Sequence, residues 1–379
     1  MSQIRRAETK IQDIDQALTH LAQAASPNQA EFSILFVSPS YDTQALAAKI
    51  PKYLGHSVYG CTTAGEIGPS GYLDDSISIV SFHGREFAHQ LVFLDNLKEM
   101  SDRDIQHLET AVSKSKVIEK SLGQGAKTFA FMLIDGLSVR EELITAQIGL
   151  RLGDIPLVGG SAGDKLKFGH TWVWNGSSFT ENSALVLLIS TSRPFETFKT
   201  QHFSESDSKI VVTASDPENR VVTEINGMPA AEAYAEAVGL KVEKFTPMVF
   251  SKYPVMLKIG DEFFVRSIQK VNPDKSLTFY CAIDDGIVLT VGKKLDFLGC
   301  VEAEFDRIKK KVGEIDASLL CECILRKLEV EDMPPEETQR VQSLYSKNQV
   351  VGFHTYGEQF GTLHINQTLT GVAFGKAKT

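Results

Sequence analysis

The chain of 379 residues is long enough for two cores, and with 42% apolar and 23% charged residues it has the make-up of an ordinary soluble protein. A net charge of -9 and the absence of a basic stripe argue against a nucleic-acid surface, since the densest basic run, residues 307–311, reads as the solvated end of a helix. No apolar run approaches the ~20 residues that cross a bilayer, so no membrane span is expected, and five cysteines set mostly in apolar runs suit a reducing cytosol better than a disulfide framework.

Ile4, Ile11, Ile14, Leu18 and Leu21 recur at helical spacing and predict an amphipathic helix over residues 1–26, closed at Ser26-Pro27. Arg5 and Arg6 lead into polar residues rather than a signal-peptide core, so a cytoplasmic protein is expected. The apolar run 32–38 reads as a strand and 42–54 as a helix. VYGCTTAGE (58–66) and a further apolar run, 77–82, follow. The order then recurs. After the run 129–134 comes a helix over 138–152, in which Ser138 and Glu141 have capping-box spacing, then LVGGSAGD (157–164) and the run 184–189. WVWNGSSF (172–179) predicts a hairpin turning at Asn175-Gly176.

Residues 191–208 show little periodicity and carry Pro194, Phe195, Phe198, His202 and Phe203. They read as a connector with aromatic anchors, and a domain boundary is placed there, between 27–195 and 196–379. Beyond it, 210–213 and 221–225 alternate like a hairpin, Pro229 opens a helix that Gly239 closes, and 249–290 is rich in strand signals. A helix over 300–312 leads to the third round: the run 318–325, a helix over 335–345, VVGFHTYGE (350–358) and the run 369–374. The repeating unit is therefore strand, helix, strand, glycine loop, strand, with a worn copy considered at Ile259-Gly-Asp261. Such units predict an α/β fold of mixed sheets covered by helices, in two domains.

Each loop ends in a glycine and an acid: Gly65 and Glu66, Gly163 and Asp164, Gly357 and Glu358. Two readings are open. The acids accept hydrogen bonds from their own loops, or they bind the amine of a small ligand whose carboxylate meets loop amides, with Asn366 and Thr368 in the lining. No Gly-Lys-Ser/Thr follows any loop, so a nucleotide site is not expected. Cys61 invites a nucleophile reading, but neither a base nor a pKa-lowering neighbour is evident. Cys321 and Cys323 share a strand face and are too few for a closed zinc site.

The motifs GCTTAGEIGPSGY (60–72), GGSAGD (159–164), INGMPAAEAY (225–234), GFHTYGEQ (352–359) and HINQT (364–368) resemble the N- and C-terminal halves of the FIST family of sensory domains. The resemblance covers nearly the whole chain beyond the first helix. It implies ligand sensing that feeds signal transduction, without catalysis, and amino-acid-like ligands are implied for many members. A subset of haem b proteins that sense nitric oxide and regulate a partner histidine kinase resembles the chain more closely. On that resemblance His202 is the iron ligand, with Phe203 beside it and Arg193 and Lys199 available to the propionates. His354 and His364 are rival ligands. A homodimer is left open.

Overall fold

The structure, a computed structural model, describes residues 3–98 and 100–377. Three six-stranded mixed sheets share one plan. In the first, Phe32–Val37 lies parallel to Val58–Thr62 and antiparallel to Ile77–Phe82, with Ile4–Thr9 outside. In the second, Lys127–Ile134 lies parallel to Leu157–Ser161 and antiparallel to Ala184–Thr191, with Phe87–Leu94 outside. In the third, Ile315–Cys323 lies parallel to Val350–Thr355 and antiparallel to Leu369–Gly375, with Phe195–Thr200 outside.

The last two strands of every sheet come from another unit. The first unit's hairpin, 66–73, adds to the third sheet through Ile67 and Gly352. The third unit's hairpin, 358–365, adds to the second sheet through Gln359 and Gly159. The second unit's hairpin, 173–180, adds to the first sheet through Trp174 and Gly60. The exchange closes a ring, so each unit's sheet is completed by a neighbour.

Burial on both faces explains why these strands read as unbroken apolar runs. Their inner faces meet in one shared core, where Phe36 of the first unit stacks on Phe353 of the third at 4.7 Å. Their outer faces carry two helices each: Ile14–Ala25 with Thr43–Leu54, Asp102–Leu122 with Glu141–Leu152, and Phe297–Val312 with Pro335–Lys347. Gly60, Gly159 and Gly352 occupy the same register, opposite Leu35, Met132 and Leu320. At each, a Cβ would collide with the carbonyl oxygen of the facing residue, so the shared glycine marks a close backbone approach.

The expected α/β class of mixed sheets under helices stands, but the unit is longer than the motif: edge strand, helix, strand, helix, strand, loop, hairpin, strand. The expected helix over 1–26 is corrected to an edge strand, Ile4–Thr9, followed by the helix Ile14–Ala25. Pairing of 4–9 with 77–82 outweighs the helical spacing there. Residues 191–208 are likewise not a connector, because Phe195–Thr200 is the third unit's edge strand. The apolar run 318–325 ends as a strand at Cys323 and turns directly into the helix Ile324–Glu331. Residues 203–294 form an inserted eight-stranded sheet with the helix Ala230–Val238, set between Pro229 and Gly239, on its own core. Within it, Gly260 turns the antiparallel pair Val255–Ile259 and Glu262–Arg266, so 259–261 is not a worn copy of the motif. Residues 1–2 and 378–379, the ends of the expected segments, lie outside the described residues. Among those described, no helix is long and apolar enough to cross a membrane.

Candidate functional site

The three glycine loops meet. The Ala64 amide donates to the His354 carbonyl (2.9 Å) and the His354 amide to that of Gly65 (2.7 Å), joining loops one and three. The Gly163 amide donates to Thr62 (3.1 Å), joining two to one, and the Ser161 amide to Gly357 (2.8 Å), joining two to three. A Cβ on Gly163 would press on Ala64, so the contact is backbone against backbone.

Two of the loop acids are held alike. Glu66 accepts from the Thr63 hydroxyl and from the amide and hydroxyl of Ser76. Glu358 accepts from the Thr355 hydroxyl and from Thr368, amide at 3.0 Å and hydroxyl at 2.7 Å. Burial pushes Glu66 up to about 7 and Glu358 to about 8 against these bonds. Asp164 differs, accepting from the amides of Phe168 (2.9 Å), Gly169 (2.6 Å) and His170 (3.2 Å) and from the Tyr356 hydroxyl. The acids are thus engaged by their own loops and neighbours.

Open polar capacity lies instead where the first and third exchanged hairpins meet their host units. Tyr72 pairs with Ile67 across the first hairpin as His364 pairs with Gln359 across the third, so the two clefts correspond. In the first-hairpin cleft, Glu322 accepts from Tyr72 (2.6 Å), Tyr345 (2.9 Å) and Arg326 Nε (3.1 Å). In the third-hairpin cleft, Gln359 Nε2 donates to Ser161 Oγ (3.0 Å) and to His364 Nδ1 (3.3 Å), and Arg266 donates to the His364 carbonyl (2.9 Å). Arg220 bridges Glu141 and Glu142 at 2.6 Å each, and Glu142 accepts from the Ala282 amide (2.9 Å). Asn366 accepts from the Ser267 amide (3.2 Å), docking the hairpin on the inserted sheet. Four atoms in this cleft have no hydrogen-bond partner among the described residues: Gln359 Oε1, His364 Nε2, Arg266 Nε and Arg220 Nε. All four side chains are buried. Burial pulls His364 down to about 4, so its imidazole is neutral at neutral pH.

His202 does not present itself to a metal. Its ring is fully buried, with Nδ1 2.7 Å from Arg326 Nη1 and Nε2 2.7 Å from Glu329 Oε2. A guanidinium only donates, so Nδ1 accepts, and Nε2 carries the proton given to Glu329. Burial, and then Arg326, hold the imidazole down at about 4. Neither nitrogen has a lone pair left for iron, and the residues as arranged do not fit a haem. Phe203 does lie against the ring, at 4.2 Å. Arg193, however, pairs with Glu86 (2.7 Å) and Asp316 (2.6 Å), and Lys199 with Glu262 (2.8 Å), which leaves them committed elsewhere. Among the described residues no group of three or more His, Cys, Asp or Glu is placed to hold a metal ion.

Cys61 is fully buried, and burial drives its thiol well up, opposite to what a nucleophile needs. Cys321 and Cys323 are buried free thiols. The capping box expected at Ser138 does not form: the helix starts at Glu141, whose carboxylate turns to Arg220, and Ser138 bonds the Asp135 carbonyl. Sequence reading missed Arg220, Arg266, Glu142, Glu322 and Arg326. Only Glu322, a charge inside the apolar run 318–325, with Arg326 four residues on, carried a signal.

These features define a class, internally triplicated α/β proteins whose loop ends meet beside buried polar clefts. The chain matches the FIST N domain over residues 31–228 and the FIST C domain over residues 230–361, and it belongs to the FIST family of sensory domains. The two matches meet inside the inserted sheet. No curated protein matches the chain.

Proposed function

We propose that this sensory protein binds a small amino-acid-like ligand in the third-hairpin cleft and reports occupancy to a separate signalling protein. The observation that carries the reading is the convergence there of four buried side chains with unspent hydrogen-bonding atoms, each costly to leave unpaired. Arg266 Nε, Arg220 Nε and His364 Nε2 are donors suited to a carboxylate. Gln359 Oε1 and the Glu142 carboxylate suit an ammonium group.

The cleft joins the second unit, the third hairpin and the inserted sheet. Five surface concavities of about 300–510 Å³ lie on other faces, and none of the five is lined by a glycine-loop residue. Gln359, His364, Arg266 and Arg220 are all buried, so entry requires the inserted sheet to shift against the second unit, and that shift is the signal a partner reads. Haem b, nitric oxide and a partner histidine kinase form the other reading. It rests on the resemblance alone, and it needs either a ligand other than His202 or release of His202 from Arg326.

Calorimetric titration with the twenty amino acids tests the first reading. One or a few should bind saturably, and Arg266→Gln should weaken them by about tenfold or more, ~1.4 kcal/mol. A panel without a binder, alongside a haemin titration that gives a sharp Soret band shifted by nitric oxide, would turn the conclusion to the second.

A further inference from the structure

The first-hairpin cleft holds a second set of unspent groups. His354 is fully buried, and neither ring nitrogen has a hydrogen-bond partner among the described residues. Arg326, also fully buried, leaves Nη2 without one. Both flank Glu322: Arg326 Nε lies 3.1 Å from Oε1, and His354 Nδ1 3.9 Å from Oε2. Glu322 already accepts from Tyr72 and Tyr345, so it is a poor sink for further donors. Lys327, 6% exposed, closes the cleft from above. Its Nζ and the His354 ring both lean on Gly65, where a Cβ would lie 2.9 Å from Nζ and 3.1 Å from His354 Cδ2. Gly65 has φ +140°, so a side chain there is doubly disfavoured.

The unspent groups are an N–H of Arg326 and the His354 imidazole, and a second cation, Lys327, stands at the rim. Lys327 is held by Asp74 (2.6 Å) and Glu331 (3.5 Å), whose side chains are 51% and 49% exposed, and such pairs are readily given up. Arg326 Nη2 has no comparable alternative. A buried cation and imidazole with donors to spare call for a small anion. We propose that the first-hairpin cleft binds a small oxyanion of formate or nitrate size, held by His354, Arg326 and Lys327 above Gly65. The site is separate from the third-hairpin cleft and does not depend on what that cleft binds.

Thermal unfolding of the full chain in sodium formate or nitrate tests this, with ionic strength balanced by sodium gluconate, a bulkier anion. The midpoint should rise saturably in the unsubstituted protein. Lys327→Gln, at the rim, should weaken half-saturation by about tenfold, and His354→Ala should abolish the response. Arg266→Gln should keep it, which separates this site from the amino-acid cleft. No rise, or a rise linear in formate and equal in the unsubstituted and Lys327→Gln proteins, would overturn the proposal and leave the cleft to water. If His354→Ala fails to fold, the comparison with Lys327→Gln decides alone.

Discussion

Arg326 fixes the protonation state of His202: the guanidinium Nη1, 2.7 Å from Nδ1, can only donate, so the imidazole is neutral and gives its one proton to Glu329. The ring thereby links two buried charges, and Glu329 passes on to Lys294 at 2.6 Å. His202→Ala leaves Arg326 and Glu329 facing a gap, and breaking such a buried arrangement costs about 3–5 kcal/mol. Urea denaturation should show that loss, with His202→Gln recovering part of it. An unchanged midpoint in His202→Ala would mean that the linkage contributes nothing.

Glu66 and Glu358 predict a particular dependence on pH. Each is raised from an ordinary 4.5, to about 7 and about 8. Between 4.5 and those values the folded protein holds protons that the unfolded chain has released, so stability falls as pH rises through that window. Glu66→Gln and Glu358→Gln keep a neutral group in place. They should unfold at higher temperature than the unsubstituted protein at pH 9, with the advantage shrinking toward pH 5. A constant difference across the range would contradict the raised values.

The shared glycines should be intolerant of a methyl group. At Gly352 an added Cβ meets the Leu320 backbone in the middle of a sheet, which cannot move aside. Gly352→Ala should cost about 3 kcal/mol. At Gly169 the nearest atom would be a carboxylate oxygen of Asp164 at 3.7 Å, an ordinary contact, and Gly169→Ala should be close to neutral. Equal effects in denaturant titrations would undo the close-approach argument.

Thiol reactivity checks the packing directly. Cys61, Cys281, Cys321 and Cys323 are buried, Cys300 is partly exposed, and burial raises all five thiols. In folded protein a disulfide reagent should modify Cys300 first and the others only on unfolding. Rapid labelling of Cys61 would reopen the nucleophile reading.

Much of the fold was legible along the chain because each repeat needs the same close approach: the glycine opposite Leu35, Met132 or Leu320 recurs wherever the parallel strand does. The edge strands Ile4–Thr9 and Phe195–Thr200 were not, since an edge strand has one paired neighbour and a weaker pattern, and helical spacing or aromatic content overrode it. The loop acids were found by their place in the motif. The arginines Arg220, Arg266 and Arg326 were missed, because a buried cation declares itself only by the carboxylate, carbonyl or imidazole brought against it from elsewhere in the chain.

By itself the sequence determined the α/β class, the triplication and the three glycine-acid loops, since these follow from local periodicity and from backbone conformations that few residues allow. Only the tertiary structure decided that each hairpin completes another unit's sheet and that His202 is spent on Arg326 and Glu329. It alone also brought the unspent donors together beside His354 and His364. Hydrogen-bond partners separated by more than a hundred residues are chosen by packing, and a linear pattern carries no record of which side chain will be buried against which.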